Sequence, residues 1–594
     1  MAAQNPFQEI DPQKLAKAMT NASGQCHEIV QDFLNKQNSA QGNDVDPLGL
    51  AQVYLEFTAL LMKKPEKLMQ AQMQAWNTYN KLWMETANAM LGKDAEPTVT
   101  VEKDDRRFKH EAWDNNPFFN FIKQSYLLTA NTIESVIAEA DDLDEKSAHK
   151  LQFYSKQFVD AMSPSNFALS NPEVIEAIVE SKGENLVKGM KNFCRDFDAQ
   201  TGDLKIKMSD RSNFELGKSI ATTPGKVVFQ NDLLQLIQYL PKTEEVHKRP
   251  LLIMPPWINK YYILDLQEKN SLIKWLVEQG HSVFVISWVN PDEKLGDKDF
   301  EDYVIEGAVA AIDAIEKATG EKQVNVIGYC IGGTLLGATL AYLTAKKDKR
   351  IVSATFFVSL LDFSEPGDLG IFIDEKQLQS LEDEMNKRGY HDGAAMSKSF
   401  SMLRANDLIW SFYVHNYLLG KDPFPFDLIF WNTDSTRMPA KMHSTYLRTM
   451  YLENKFKEPG GMTIGNVDID LSSIKTPAYF VSAQEDHIAP WGSTYLGAQL
   501  LSGPVRFVLG RSGHIAGIVN PPAAKKYGYF TGSKIDVDAK TWLDSAKLNQ
   551  GSWWPEWNRW AKKYAGEKVP ARSPGDGGLP VIEDAPGSYV KKRY

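Results

Sequence analysis

Val324-Asn325-Val326-Ile327-Gly328-Tyr329-Cys330-Ile331-Gly332-Gly333-Thr334 is the stretch that decides the fold. A short apolar strand, residues 324–327, runs into a Gly-x-Cys-x-Gly-Gly turn, and an apolar helix begins near Thr334. Strand, sharp turn and helix in that order lift a nucleophile above a sheet edge, here with cysteine where serine is usual. A side chain at Gly328 or Gly332 would collide with its neighbours in so tight a turn. The following helix N-terminus and the Ile331 amide point positive charge at the nucleophile, which favours a thiolate and an oxyanion. A buried structural cysteine in a glycine-rich turn is the plainer alternative. Catalytic partners elsewhere in the chain would separate the two.

Outward from the turn, short apolar runs alternate with amphipathic helices. Strands are expected at 251–254, 282–287, 353–358, 478–482 and 505–509. One intervening helix carries Ile305, Val309, Ile312 and Ile315 on a single face. Such alternation specifies a mainly parallel sheet covered on both sides. The alternation stops between about Asp362 and Lys475, which is too long for a loop and reads as an inserted lid, or cap, subdomain.

Partners stand in the required chain order of nucleophile, acid, histidine. Asp486 follows the strand at 478–482, and His514 follows the strand at 505–509, so both belong to the sheet edge that carries Cys330. His514 can then take the thiol proton while a carboxylate orients it. Glu485 and His487 are the neighbouring rivals, and a helix cap is the structural alternative for Asp486. The second oxyanion donor is expected on the loop Pro255–Tyr262, with the Ile258 N–H as first choice and the Ile331 N–H as its partner. The expected architecture is α/β, an α/β-hydrolase fold with the lid insertion at about 362–475.

At 594 residues the chain is long enough for two or three units. Residues 1–216 read as a mainly helical N-terminal domain, 217–594 as the catalytic domain, and about 570–594 as an extended tail rich in glycine and proline. Met69, Met73, Trp76 and Trp83 share one helix face. Packing on a core or partner helix is the ordinary reading of such a stripe, and adhesion to a hydrophobic granule is the sharper one. Residues 92–107 read as a linker. A net charge of -10 argues against a nucleic-acid partner. The three cysteines, Cys26, Cys194 and Cys330, suggest no disulfide framework. With no signal peptide or membrane span read in the sequence, a cytoplasmic location is expected.

The strings Gly328–Gly333, Ala161-Met162-Ser163-Pro164, Asn259–Leu266, Leu403–Leu408, Pro425-Phe426-Asp427, Glu485-Asp486-His487, Gly513–Gly517 and Gly551–Pro555 resemble the polyhydroxyalkanoate synthases, class I type. The resemblance runs from about Phe108 to the C-terminus. It implies an acyltransferase that polymerises (R)-3-hydroxyacyl-CoA, short-chain units such as 3-hydroxybutyryl-CoA above all, with release of CoA. Cys330 would carry the acyl chain as a thioester, His514 would activate the thiol, and Asp486 would orient His514 or help to activate the incoming 3-hydroxyl. Arg404, Trp257 and His487 would line the substrate or CoA channel. No metal or cofactor is implied, because CoA is a product. A homodimer at the polyester granule surface is implied, with phasin-type granule proteins as further partners. An acyl-CoA thioesterase or intracellular depolymerase would use the same Cys-His-Asp set, and a granule-coating scaffold is the non-enzymatic rival.

Overall fold

The computed structural model describes residues 57, 65–94, 96–101, 105–138, 143–198, 204–532 and 534–594. It forms two compact units, Met1–Asp210 with Phe400–Phe424, and Arg211–Ser399 with Pro425–Tyr594.

The second unit is built on an eleven-stranded sheet. Its strands are β1 (Gly225–Gln230), β2 (Leu234–Tyr239), β3 (Leu251–Met254), β4 (Val283–Trp288), β5 (Val324–Tyr329), β6 (Ile351–Phe357), β7 (Ala478–Ala483), β8 (Val505–Gly510), β9 (Gly528–Thr531), β10 (Lys547–Gln550) and β11 (Glu583–Asp584). The spatial order is β10-β9-β8-β7-β6-β5-β3-β4-β2-β1-β11. The six strands from β8 to β4 are parallel, and the strands outside them are antiparallel. Strands β3, β4, β5 and β7 are buried at every residue, as expected of β-branched and aromatic runs covered on both faces. The α/β-hydrolase fold read from the sequence is present, with the six expected strands in place.

The chain runs from β3 outward to β4, then returns to the other side of β3 as β5. The strand order therefore reverses between β3 and β5, where loops leaving the carboxyl ends diverge and open a crevice. Register locks the two together, with Met254 opposite Gly328.

Three differences from the sequence reading have physical causes. First, the antiparallel strands β1, β2, β9, β10 and β11 went unread, because polar residues interrupt their apolar runs and β1 carries a bulge between Val227 and Phe229. Second, the helix expected to bury Ile305, Val309, Ile312 and Ile315 together has a π-helical turn at Tyr303–Val309. That wider turn breaks the 3.6-residue repeat, so Tyr303, Val304 and Ala308 face inward while Ile305 is exposed. Third, the C-terminal stretch is extended but packed. Lys568–Pro570 pairs with Glu245–His247, β11 edges β1, and Val590 is buried.

Residues 362–475 do lie between β6 and β7. Within that stretch, Phe400–Phe424 belongs to the first unit. Asn185 Nδ2 donates to Leu418 O at 2.8 Å, Asn192 Nδ2 donates to Asn416 O at 3.0 Å, and Leu419 packs on Val174 and Ile178.

The first unit is helical, with Pro65–Met90, Pro117–Ala138, Glu145–Ala161, Pro172–Glu180 and Glu184–Asp196 as its longer helices. Met69, Met73, Trp76 and Trp83 are all exposed, so packing in a core does not account for the stripe; Leu82 and Thr86 on the other face are buried instead. Trp83 also touches the Phe121 ring, at 4.9 Å between centroids. The helical reading of residues 1–56 lies outside the described residues. The Cys330 thiol is free.

Candidate active site

Cys330 sits between β5 and the helix Ile331–Ala345, at φ 54° and ψ −124°. That backbone conformation is costly for a side-chain-bearing residue, on the order of 1–3 kcal/mol, and persists only where the surroundings impose it. They do so here through three bonds: Cys330 N–H donates to Phe357 O at 2.8 Å, and Cys330 O accepts from Gly333 and Thr334. A Cβ at Gly328 would stand 2.5 Å from Gly332 O, and one at Gly332 would stand 2.1 Å from Met254 O. The glycines thus let the helix N-terminus pack directly on the end of β3.

His514 and Asp486 meet as the chain order requires. His514 Nδ1 and Asp486 Oδ2 are 2.7 Å apart. The other carboxylate oxygen, Asp486 Oδ1, accepts from the Ile488 and Ala489 amides, each at 2.9 Å. The loop cap and the imidazole's partner are therefore one residue, with the amides fixing the carboxylate that fixes the imidazole. Burial alone would lower the His514 pKa, but the Asp486 carboxylate, the Cys330 sulfur and hydrogen bonds to both raise it to about 10. Such an imidazole holds a proton taken from a thiol, next to the sulfur that lost it.

Ile331 opens the helix, and its N–H has no acceptor among the described residues, as is ordinary for the first helical turn. The Ile258 N–H has no acceptor among them either, and its loop leaves β3 beside the elbow. The two expected oxyanion donors are therefore both unspent.

The other expected site residues are distributed differently. Trp257 is buried in an aromatic cluster with Trp288, Tyr303 and Phe300, at ring distances of 5.5, 4.5 and 6.3 Å. His487 follows Asp486 half-buried, and its carbonyl accepts from Asp368 N at 3.2 Å. Glu485 is exposed. Arg404 belongs to the first unit, where it is exposed and paired with Asp407.

Three residues escaped the sequence reading. Tyr329 donates to His514 O at 3.3 Å and lays its ring along the imidazole. Tyr446 is buried and Tyr451 half-buried, and desolvation, together with negative charge at Cys330, pushes both phenols up. Their rings are 5.4 Å apart on the π-helical turn Tyr446–Leu452. A spacing of five brings side chains together on such a turn and not on an α-helix, so α-helical periodicity conceals the pair.

Among the described residues no cluster of three or more His, Cys, Asp or Glu could hold a metal ion, and no helix is long and apolar enough to cross a membrane.

Comparison with known proteins yields two family matches. The family described as "Poly-beta-hydroxybutyrate polymerase (PhaC) N-terminus" matches residues 104–276, and the alpha/beta hydrolase fold matches 250–521. A poly(3-hydroxyalkanoate) polymerase of Methylorubrum extorquens is 50% identical over 533 residues, covering 90% of this chain and 88% of that one. The poly(3-hydroxyalkanoate) polymerase subunit PhaC of Rhizobium meliloti is 46% identical over 591 residues, covering 99% and 96%. Its counterpart in Cupriavidus necator is 41% identical over 536 residues, 89% of each chain.

Proposed function

The chain belongs to the poly(3-hydroxyalkanoate) polymerase family, and we propose that it polymerises (R)-3-hydroxyacyl-CoA, chiefly short-chain units such as 3-hydroxybutyryl-CoA, through a thioester on Cys330. The observation that carries the mechanism is the strained free thiol of Cys330 sharing His514 with a buried, amide-anchored Asp486.

The steps follow from those positions. His514 accepts the Cys330 proton, and the sulfur attacks the acyl-CoA carbonyl carbon. The oxyanion that forms is held by the Ile331 and Ile258 N–H groups, which cost no reorganisation because no other described residue occupies them. The carbon–sulfur bond to CoA breaks, the CoA sulfur takes the proton from His514, and the acyl group stays on Cys330. A 3-hydroxyl then gives its proton to His514 and attacks the Cys330 thioester, which forms the ester and returns the thiolate. Asp486 keeps the imidazole oriented through both halves. The buried Tyr446 ring and the half-buried Tyr451 ring beside it limit the entry of water, so a hydroxyl rather than water takes the acyl group.

The same reading places the enzyme at the surface of its polyester. Met69, Met73, Trp76 and Met84 expose an apolar face that a hydrophobic granule would cover. Homodimers and phasin-type granule proteins complete the proposal, and light scattering across protein concentration tests the dimer. For the reaction itself, purified enzyme is given 3-hydroxybutyryl-CoA and its products are weighed. Insoluble polyester with stoichiometric CoA is the expected result; free 3-hydroxybutyrate as the main product would refute the reading.

A further inference from the structure

The peptide joining Trp257 to Ile258 is held from its carbonyl side. In a trans peptide the C=O and N–H point in opposite directions, so a group that fixes the Trp257 carbonyl also aims the Ile258 N–H. Thr436 is that group. Its hydroxyl donates to Trp257 O and lies 2.9 Å from Ile258 O, while its own N–H donates to Ile258 O at 3.3 Å. Thr436 is buried, so these bonds do not compete with water.

The segment carrying Thr436 is bolted to the same loop on either side. Asn259 and Ser435 form a β-bridge. Asp434, itself buried, accepts from the Tyr262 hydroxyl at 2.7 Å, pairs with Lys260 Nζ at 3.1 Å and receives Arg593 Nε at 2.9 Å. Lys260 Nζ in turn donates to the carbonyls of Val590 at 2.7 Å and Lys592 at 3.0 Å. The loop after β3, the inserted segment at 434–436 and the C-terminal residues thus form one hydrogen-bonded block, whose purpose the fold alone does not require.

We propose that Thr436 is a positioning residue for acyl transfer: its hydroxyl fixes the Trp257–Ile258 peptide so that the Ile258 N–H faces the oxyanion formed at Cys330. The inference rests on the assignment of Ile258 as the second oxyanion donor. Thr436 touches no reacting atom, so its effect is on the rate of the acyl step and not on the reactivity of the thiol.

The test compares Thr436→Val, which keeps the branched shape without the hydroxyl, with Thr436→Ser, which keeps the hydroxyl. Two readouts are taken on the full chain: CoA release from 3-hydroxybutyryl-CoA, and alkylation of Cys330 by iodoacetamide, a displacement that forms no oxyanion. Thr436→Val should lower kcat by about 10- to 100-fold with KM little changed. Its alkylation rate should stay at the wild-type value, and Thr436→Ser should restore most of kcat. An unchanged kcat in Thr436→Val overturns the proposal, as does an equal fall in alkylation, which would mark a merely structural role. A third protein, with the Trp257–Ile258 amide replaced by an ester through the α-hydroxy analogue of isoleucine, separates the premise from the inference. If the ester slows acyl transfer and Thr436→Val does not, only the positioning role fails; if the ester leaves the rate intact, Ile258 is not the donor.

Discussion

One sheet holds histidines in two opposite settings at its two ends. At the carboxyl ends of β7 and β8, His514 has a carboxylate on one side and a sulfur on the other, and its pKa is raised to about 10. At the amino ends of the strands, His247 and His281 lie 4.9 Å apart with no carboxylate among the groups that shift them. Burial, chiefly, with Lys568 and Lys562 nearby, lowers His247 to about 4 and His281 to about 3. His281 Nε2 meets Asn558 Oδ1 at 2.9 Å, a neutral partner. Burial disfavours the charged form in both places, and only a fixed negative partner reverses it. The neighbours decide which imidazole can carry a proton for chemistry.

The largest effect tests that contrast at its sharp end. His514→Ala should cut CoA release by about 10^4-fold or more, whereas folded His247→Gln and His281→Gln enzymes should turn over at the wild-type rate. A strong loss of turnover in either of the latter would break the comparison. Asp486→Asn comes next, with a fall of about 10^2- to 10^4-fold, because the amide keeps the shape but loses the charge that orients and stabilises the imidazolium. Glu485→Gln, at an exposed neighbour, should be nearly silent, and a larger effect there would reassign the acid.

A smaller effect separates the two ends by pH. The folded values of His247 and His281 lie below the ordinary value near 6.5, so on acidification the unfolded chain binds protons that the folded chain refuses. Their contribution to stability is full above about pH 6.5 and is lost as the pH falls toward 4 and below, by up to about 1.4 kcal/mol per histidine per pH unit. His514 has the opposite sign: its contribution is full below pH 6.5 and is lost as the pH rises through about 10. Denaturant midpoints measured from pH 4.5 to 9.5 should show the acid slope flatten in the double variant His247→Gln, His281→Gln and persist in His514→Gln.

The end of the sheet that carries Cys330, Asp486 and His514 was readable in the sequence because each of them follows a short, mainly apolar strand within the regular alternation of strands and helices. Cys330 stands between glycines at a strand end, and Asp486 and His514 follow two more mainly apolar strands in the chain order that the fold dictates. Residues 434–452 were not readable. Thr436 works through backbone carbonyls far away in sequence, and no side-chain pattern reports that. Tyr446 and Tyr451 are brought together by a π-helical turn, and the same device turned Ile305 outward from the face assigned to it. The exposed stripe on Pro65–Met90 was seen as a stripe, but periodicity says which residues share a face and not what covers it.

The central claim is that Cys330 carries the acyl chain, and trapping that intermediate tests it most directly. Enzyme mixed briefly with 3-hydroxybutyryl-CoA is quenched in acid, digested and analysed by peptide mass spectrometry. The account predicts a 3-hydroxybutyryl adduct on the peptide containing Cys330, labile to hydroxylamine and absent from Cys330→Ala. An adduct on another residue, or undiminished CoA release by Cys330→Ala, would contradict it.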